Sequence, residues 1–319
     1  MSSRNRNKPD WWLELEPDDL ALETPTRKAR AEPVVSHRKQ ARIRASLADA
    51  LDQHEAGFEF TYKASRHEHE WISQALKEFY EDHLISDVLS MVRSGKEANV
   101  YCCQAHPNLG MDLLAAKIYR PRMLRNLKND ALYKEGRSLL GDDGKPLQDQ
   151  RGLRAVRKKT RKGLELTINS WIEYEYQTLQ RLYQAGVHVP RPIVQAGNAI
   201  LMEFIGLAGM PAPTLSTVTL GYAEARHLYQ LLLHDVAVML ANHCIHADLS
   251  AYNVLYWEGT VAIIDFPQVV DPLRNPNAQS LLERDLTRLC QYFQRYHLDL
   301  QPRQLAAELF DRYLKGDLL

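Results

Sequence analysis

Asp248 and Asn253 lie five residues apart in the string His246-Ala247-Asp248-Leu249-Ser250-Ala251-Tyr252-Asn253, and a second aspartate follows in Ile263-Ile264-Asp265-Phe266. Transfer of a phosphoryl group needs one carboxylate beside the acceptor hydroxyl, and oxygen ligands that hold a divalent ion against the phosphates. These three side chains supply both. By itself the string is only moderately specific, so the elements around it must decide.

A hairpin turning at Glu258-Gly259, with strands over 254–257 and 261–264, would carry the chain back so that Asp265 emerges near Asn253. Upstream, Ala115-Ala116-Lys117 lies in a predicted strand over 112–119, where a lysine could grip the α- and β-phosphates. Read alone, Lys117 would be a strand lysine with its stem along the sheet. Glu175, on one helical face with Leu179, is a candidate ion partner for Lys117, and Glu173 is an equally available carboxylate. Ser94-Gly95-Lys96 reads as the turn between strands 85–92 and 99–104, with backbone N–H groups that could cradle phosphate oxygens. The full GxGxxG pattern is absent, and a bare β-turn would also explain Gly95.

The remaining periodicities complete the frame. Trp71, Ile72, Leu76, Phe79 and Tyr80 recur at helical spacing; a helix is predicted over 171–185, short strands over 193–196 and 200–204, and helices over 222–242, 278–296 and 302–315. Residues 120–163 break the periodicity with Gly141, Gly144, Pro146 and Gly152. They end in the basic run Arg154, Arg157, Lys158, Lys159, Arg161 and Lys162, and read as a long flexible loop. Residues 1–57, poor in apolar side chains, read as a largely disordered arm with a basic helix between His37 and His54. Strands first and helices later, joined around Glu203 to Gly206, describe an α+β chain with a small β-rich lobe hinged to a helical one.

Composition excludes several classes. A formal net charge of +0 gives no overall field to attract nucleic acid or an anionic membrane, so any such contact must use a local patch. Four cysteines fit neither a disulfide framework nor paired zinc spacing, and a reducing cytoplasm is the expected home. No apolar run approaches the roughly 18 residues of a membrane span. His67, His69 and His83 lack companions to close a metal shell, and Cys102 and Cys103 read as core. His246 reads as a structural hydrogen-bonding residue; Asp285 is either a brace for the loop before it or a surface cap.

The strings SGKEANVY (94–101), AAKIYR (115–120), MEFIG (202–206), PAP (211–213), HADLSAYN (246–253) and IDFPQ (263–268) resemble, in order, conserved segments of one family. They match the phosphate loop, strand lysine, hinge, catalytic loop and metal loop of the RIO family of atypical serine/threonine protein kinases, nearest to its first subgroup. That resemblance covers about residues 71–296. It implies a two-lobed protein-kinase-like fold, with an antiparallel N-lobe at about 68–204, a mainly helical C-lobe at about 205–319, and a kinase domain over 58–319. It also implies binding of ATP and Mg2+, with Mn2+ as an alternative ion.

On this resemblance Asp248 would be the catalytic aspartate, Asn253 and Asp265 the metal ligands, Lys117 the phosphate lysine and Glu175 its partner. Ser94 and Lys96 would lie over the phosphates, Glu203 and Ile205 would offer backbone groups to adenine, and Gly95, Val100 and Met202 would complete the nucleotide site. The family is also associated with a phosphoryl-aspartate, here at Asp265. Pro267 stands where a glycine is usual in protein kinases and no Ala-Pro-Glu segment follows, so reduced activation and substrate-binding segments are expected.

The implied partners are a protein substrate or the chain itself, and a ribosomal subunit or RNA held by the basic loop. Two alternatives stand beside this reading. One is a small-molecule kinase of the aminoglycoside or choline type, and the other is a nucleotide-switched ribosome-assembly factor.

Overall fold

Short apolar runs, nearly continuous in the middle of the sheet, build five strands, β1 (Ile85–Ser94), β2 (Ala98–Ala105), β3 (Leu113–Tyr119), β4 (Pro192–Ala196) and β5 (Ala199–Glu203). All pairs are antiparallel, in the spatial order β1-β2-β3-β5-β4. The computed structural model describes residues 58–120, 139–140, 145–158 and 160–318. The expected N-terminal arm and its basic helix, and most of the stretch 121–144, lie outside the described residues.

Helix α1 (Arg66–Glu81) starts five residues before Trp71, because the Ser65 hydroxyl accepts the Glu68 N–H and caps it. Its buried Ile72, Leu76 and Phe79 join Val88, Tyr101 and Leu114 in one core on the sheet. At roughly 2 kcal/mol per fully buried side chain, this packing rather than helix propensity holds α1 in place.

The loop expected over 120–163 is partly helix. Gln150–Arg157 forms α2, and α3 (Arg161–Gln184) begins ten residues before the predicted 171. The Asp149 carboxylate caps α2 through the N–H groups of Arg151 and Gly152, and the Thr160 hydroxyl caps α3 through Gly163. Gly152, which reads as a breaker, and Gly163, at the end of the expected loop, serve close packing, while Gly141 and Gly144 lie outside the described residues. A Cβ on Gly163 would sit 2.1 Å from the Ala155 carbonyl oxygen, so only glycine lets α3 cross α2 here.

Helix α3 links two cores. Trp171 and Ile172 pack with Tyr119 and Ile200 of the sheet, whereas Leu179 and Leu182 belong to the helical core. That second core gathers α4 (Tyr222–Ala241), α5 (Ala278–Phe293), α6 (Pro302–Lys315) and the hairpin β8 (Val254–Trp257) and β9 (Thr260–Ile263). The predicted helix over 278–296 ends as a tighter turn at Gln294–Tyr296. No helix among the described residues is long and apolar enough to cross a membrane.

After β5 the chain passes through a small ribbon of β6 (Gly206–Leu207) and β7 (Met210–Pro211) on its way to α4. Gly206 has φ 132°, and an added Cβ would lie 2.5 Å from the Met210 carbonyl oxygen and 2.8 Å from the Ala212 nitrogen. Gly206→Ala is therefore expected to destabilise the protein by roughly 1–3 kcal/mol, read as a lower midpoint in urea. An unchanged midpoint would mean that the ribbon rearranges freely.

Candidate functional site

The β8–β9 pairing sets Val254 against Ile263, and the Ile264 N–H donates to the Asn253 carbonyl at 3.0 Å. Asn253 and Asp265 thus flank the open end of one hairpin, as the sequence predicts. Two non-glycine residues beside them hold left-handed backbone, Ala247 at φ 63° and Asp265 at φ 73°. Such conformations cost of order 1–3 kcal/mol and persist only when their surroundings impose them.

Helix α5 does the imposing at Ala247. Its buried Asp285 accepts the N–H groups of Ala247 at 2.6 Å and Leu249 at 3.1 Å, and Arg284 donates to the Ala247 carbonyl. Burial pushes the Asp285 carboxyl up to about 7 against the pull of these donors. Of the two roles the sequence allows Asp285, brace or surface cap, it takes the brace. His246 donates Nε2–H to the Ile264 carbonyl at 3.1 Å, and burial lowers its pKa, so it is a neutral structural donor that ties the two loops together.

In the middle of the sheet, Lys117 pairs with Val100 on one side and Ile200 on the other. Its Nζ donates to Glu175 Oε1 and to Asp265 Oδ1, both at 2.7 Å. One ammonium therefore joins the sheet, helix α3 and the hairpin of the helical lobe. Glu175, and not Glu173, is the partner. Burial opposes the charge on Lys117, but the two carboxylates outweigh it and raise its pKa. Burial likewise opposes the charge on Asp265, whose side chain is nonetheless 45% exposed to the cleft, and Lys117 holds the carboxyl below its ordinary range. Both groups are ionised at neutral pH.

Nothing in the sequence singles out Tyr119. Two residues after Lys117 on the same face of β3, it donates its hydroxyl to Glu175 Oε2 at 2.5 Å and fixes the carboxylate that holds the lysine. Tyr119→Phe is expected to cost about 1–2 kcal/mol in denaturant unfolding, with the tertiary fold kept. No loss of stability would show that this hydrogen bond contributes nothing net.

At the first bend, the Gly95 N–H donates to the Ala98 carbonyl at 2.9 Å, so this amide is already used inside the turn. A Cβ there would lie 2.9 Å from the same oxygen. Ser94 is turned to Arg120, whose Nη2 donates to its hydroxyl at 2.9 Å and to Asn99 Oδ1 at 2.7 Å. Asn99 in turn donates to the Tyr101 hydroxyl, which donates to Glu68 of α1. At the hinge, the Glu203 N–H is taken by the Arg191 carbonyl and the Ile205 carbonyl by the Ala212 N–H. The Glu203 carbonyl and the Ile205 N–H are the hinge groups that a ligand could use.

A cleft of about 590 Å3 collects Gly95, Lys96, Val100, Lys117, Glu175, Met202, Glu203, Ile205, Asp248 and Asp265. Ser94 and Asn253 are not among its lining residues; Ser94 faces Arg120, and Asn253 lines a neighbouring cavity that shares Asp248. Asn253 Nδ2 donates to the Asp248 carbonyl at 3.0 Å and contacts Asp248 Oδ2 at 3.4 Å, which leaves its Oδ1 for a cation. Asp248 Oδ1 is paired with Arg288 Nη1 of α5 at 2.6 Å. Arg288 lies three residues after Asp285 on the same helical face, so the helix that braces the loop also supplies the partner of Asp248.

A family model described as the RIO domain matches residues 144–305, about half of the chain. The chain belongs to the RIO family. The match contains Glu175, the hinge, Asp248, Asn253 and Asp265, while Lys117 and the first bend precede it. The human serine/threonine-protein kinase RIO1 is 30% identical over 229 residues, which are 72% of this chain and 36% of that protein. The RIO-type serine/threonine-protein kinase Rio1 of Thermoplasma acidophilum is 34% identical over 135 residues, 42% of this chain and 69% of the relative. The chain spans 36% to 39% of the length of the human and Schizosaccharomyces pombe RIO1 proteins.

The Rio2 kinase–ADP/Mg2+–phosphoaspartate complex from Chaetomium thermophilum has a TM-score of 0.52 at 19% identity, covering 88% of this chain and 80% of its own. The two-lobed kinase-like fold is therefore shared with a RIO protein.

Proposed function

We propose that this RIO chain is an ATP- and Mg2+-dependent phosphotransferase that acts on serine or threonine of a protein, or on its own Asp265. The observation that carries this reading is the meeting of Lys117, Glu175 and Asp265 in the cleft that also holds Asp248. A volume of about 590 Å3 falls within the 300–1,000 Å3 usual for ligand sites.

The Glu203 carbonyl and Ile205 N–H form the acceptor–donor pair that matches the amino group and adjacent ring nitrogen of adenine. Lys117, held by Glu175 and Tyr119, would reach the phosphates, and Lys96 would cover them from the first bend. The metal would be held by Asn253 Oδ1 and Asp265. Mg2+ takes few protein oxygens and completes its shell with water and phosphate, so this donor pair fits it. When bound, Mg2+ supplies charge neutralisation at the phosphates.

Asp248 accepts the proton of the acceptor hydroxyl as the oxygen attacks the γ-phosphorus and ADP leaves. The same cleft supports attack by Asp265, an ionised carboxylate on strained backbone, which needs no proton acceptor. Hydrolysis of the resulting acyl phosphate would make the net reaction an ATPase. The Rio2 complex with phosphoaspartate supports this branch by kinship of fold. Incubation with radiolabelled ATP separates the outcomes. The expected result is Mg2+-dependent label on protein, with the Asp265 fraction released by hydroxylamine and the serine or threonine fraction resistant. Neither label nor free phosphate would contradict the reading.

A second role, docking to ribosomal RNA, is supported by α2. Arg151, Arg154, Arg157 and Lys158 are exposed on it or at its end, so the first part of the basic run is displayed on a helix rather than a loop. Salt-sensitive cosedimentation with small ribosomal subunits that changes with ATP is the expected sign, and no association at low salt would exclude it. The cytoplasm is the proposed location, supported by four cysteines that are buried free thiols.

A further inference from the structure

The space around Asp248 does not end with the nucleotide cleft. A second cavity of about 550 Å3 reaches the same residue and is lined also by Ser216, Tyr252, Asn253, Arg288, Tyr292 and Arg295. Two arginines and one aspartate are the charged residues of this lining. Arg288 is paired with Asp248 at 2.6 Å, while Arg295 stacks on Tyr292 with its charge 4.4 Å from the ring centroid. A stacked guanidinium keeps its in-plane N–H donors for a carboxylate or phosphate. Arg295 is in no ion pair with a carboxylate among the described residues, so the lining, with two arginines and one aspartate, carries an excess positive charge.

We infer that this cavity is the acceptor site and that it takes a serine on a peptide whose neighbouring side chains are carboxylates. The inference rests on the phosphotransferase reading, because it places the acceptor on the side of Asp248 that the nucleotide leaves open. A cationic small molecule is disfavoured by the two arginines. A nucleic-acid backbone needs cations spread along a track, whereas these two converge on one pocket with room for a few side chains.

The pair between Arg288 and Asp248 gives the acidic residue a second effect. A carboxylate arriving at Arg288 competes for the guanidinium and frees Asp248 Oδ1. The freed oxygen accepts the serine hydroxyl proton while the serine Oγ bonds to the γ-phosphorus. The bond from that phosphorus to the β,γ-bridging oxygen breaks, and ADP carries the electron pair away. The acidic peptide thus improves both binding and turnover.

Fluorescence anisotropy tests this with a labelled serine peptide flanked by glutamates, in ADP and Mg2+, against the same peptide carrying glutamines. The glutamate peptide is expected to bind about tenfold tighter, with an advantage that shrinks with salt and disappears in Arg295→Glu. Equal affinity of the two peptides for the unaltered chain overturns the inference, and this comparison does not depend on how any variant folds. Displacement of the acidic peptide by a ribo-oligonucleotide at lower concentration than by the peptide itself overturns it too, in favour of nucleic acid. Because binding is read without turnover, a chain that never hydrolyses ATP would sink the phosphotransferase reading and leave the peptide result standing separately.

Discussion

Asp248→Asn is expected to lower phosphoryl transfer to serine by on the order of a thousandfold, while ATP affinity changes little. The substitution keeps the size of the side chain, and the loop that carries it is fixed from outside by Asp285 and Arg284. What is lost is the oxygen that accepts the hydroxyl proton. Label on Asp265 should survive better than label on serine, since a carboxylate nucleophile brings no proton to remove. Single-turnover measurements on both products would show this split. Transfer to serine at the parental rate would remove Asp248 from the chemistry.

Lys117→Met is expected to act on stability and function together. Glu175 has a side chain only 6% exposed, so removing the ammonium leaves a buried carboxylate without its cation, at a cost of about 3–5 kcal/mol. Asp265 contributes less to that penalty, because at 45% exposure water screens it. Nucleotide affinity and turnover should both fall, since the same amine would hold the phosphates. The double variant Lys117→Met with Glu175→Gln should regain much of the stability in urea and none of the turnover. Recovery of turnover would show that the lysine only neutralises Glu175.

Much of this site is legible in the sequence because its parts are local. The spacing of Asp248, Asn253 and Asp265 is closed by one short hairpin, and the hinge and strand lysine follow from strand periodicity. Side-chain direction across longer distances is not local, and there the sequence misleads. Ser94 reads as a phosphate contact, yet Arg120 draws it aside. Gly152 and Gly163 read as loop residues because a glycine that lets two helices touch looks, in one dimension, like a glycine that breaks them. Tyr119 and Arg288 escape for another reason. Each acts on a partner distant in sequence, Glu175 and Asp248, and only the packed chain makes the pair visible.

The most direct test is a crystal structure with a non-hydrolysable ATP analogue and Mg2+. With the phosphates in place, Lys117 Nζ is predicted within about 3 Å of a phosphate oxygen, with Asn253 and Asp265 on a shared metal ion and Asp248 beside the γ-phosphate. A nucleotide seated elsewhere, with Lys117 bridging only Glu175 and Asp265, would contradict the account.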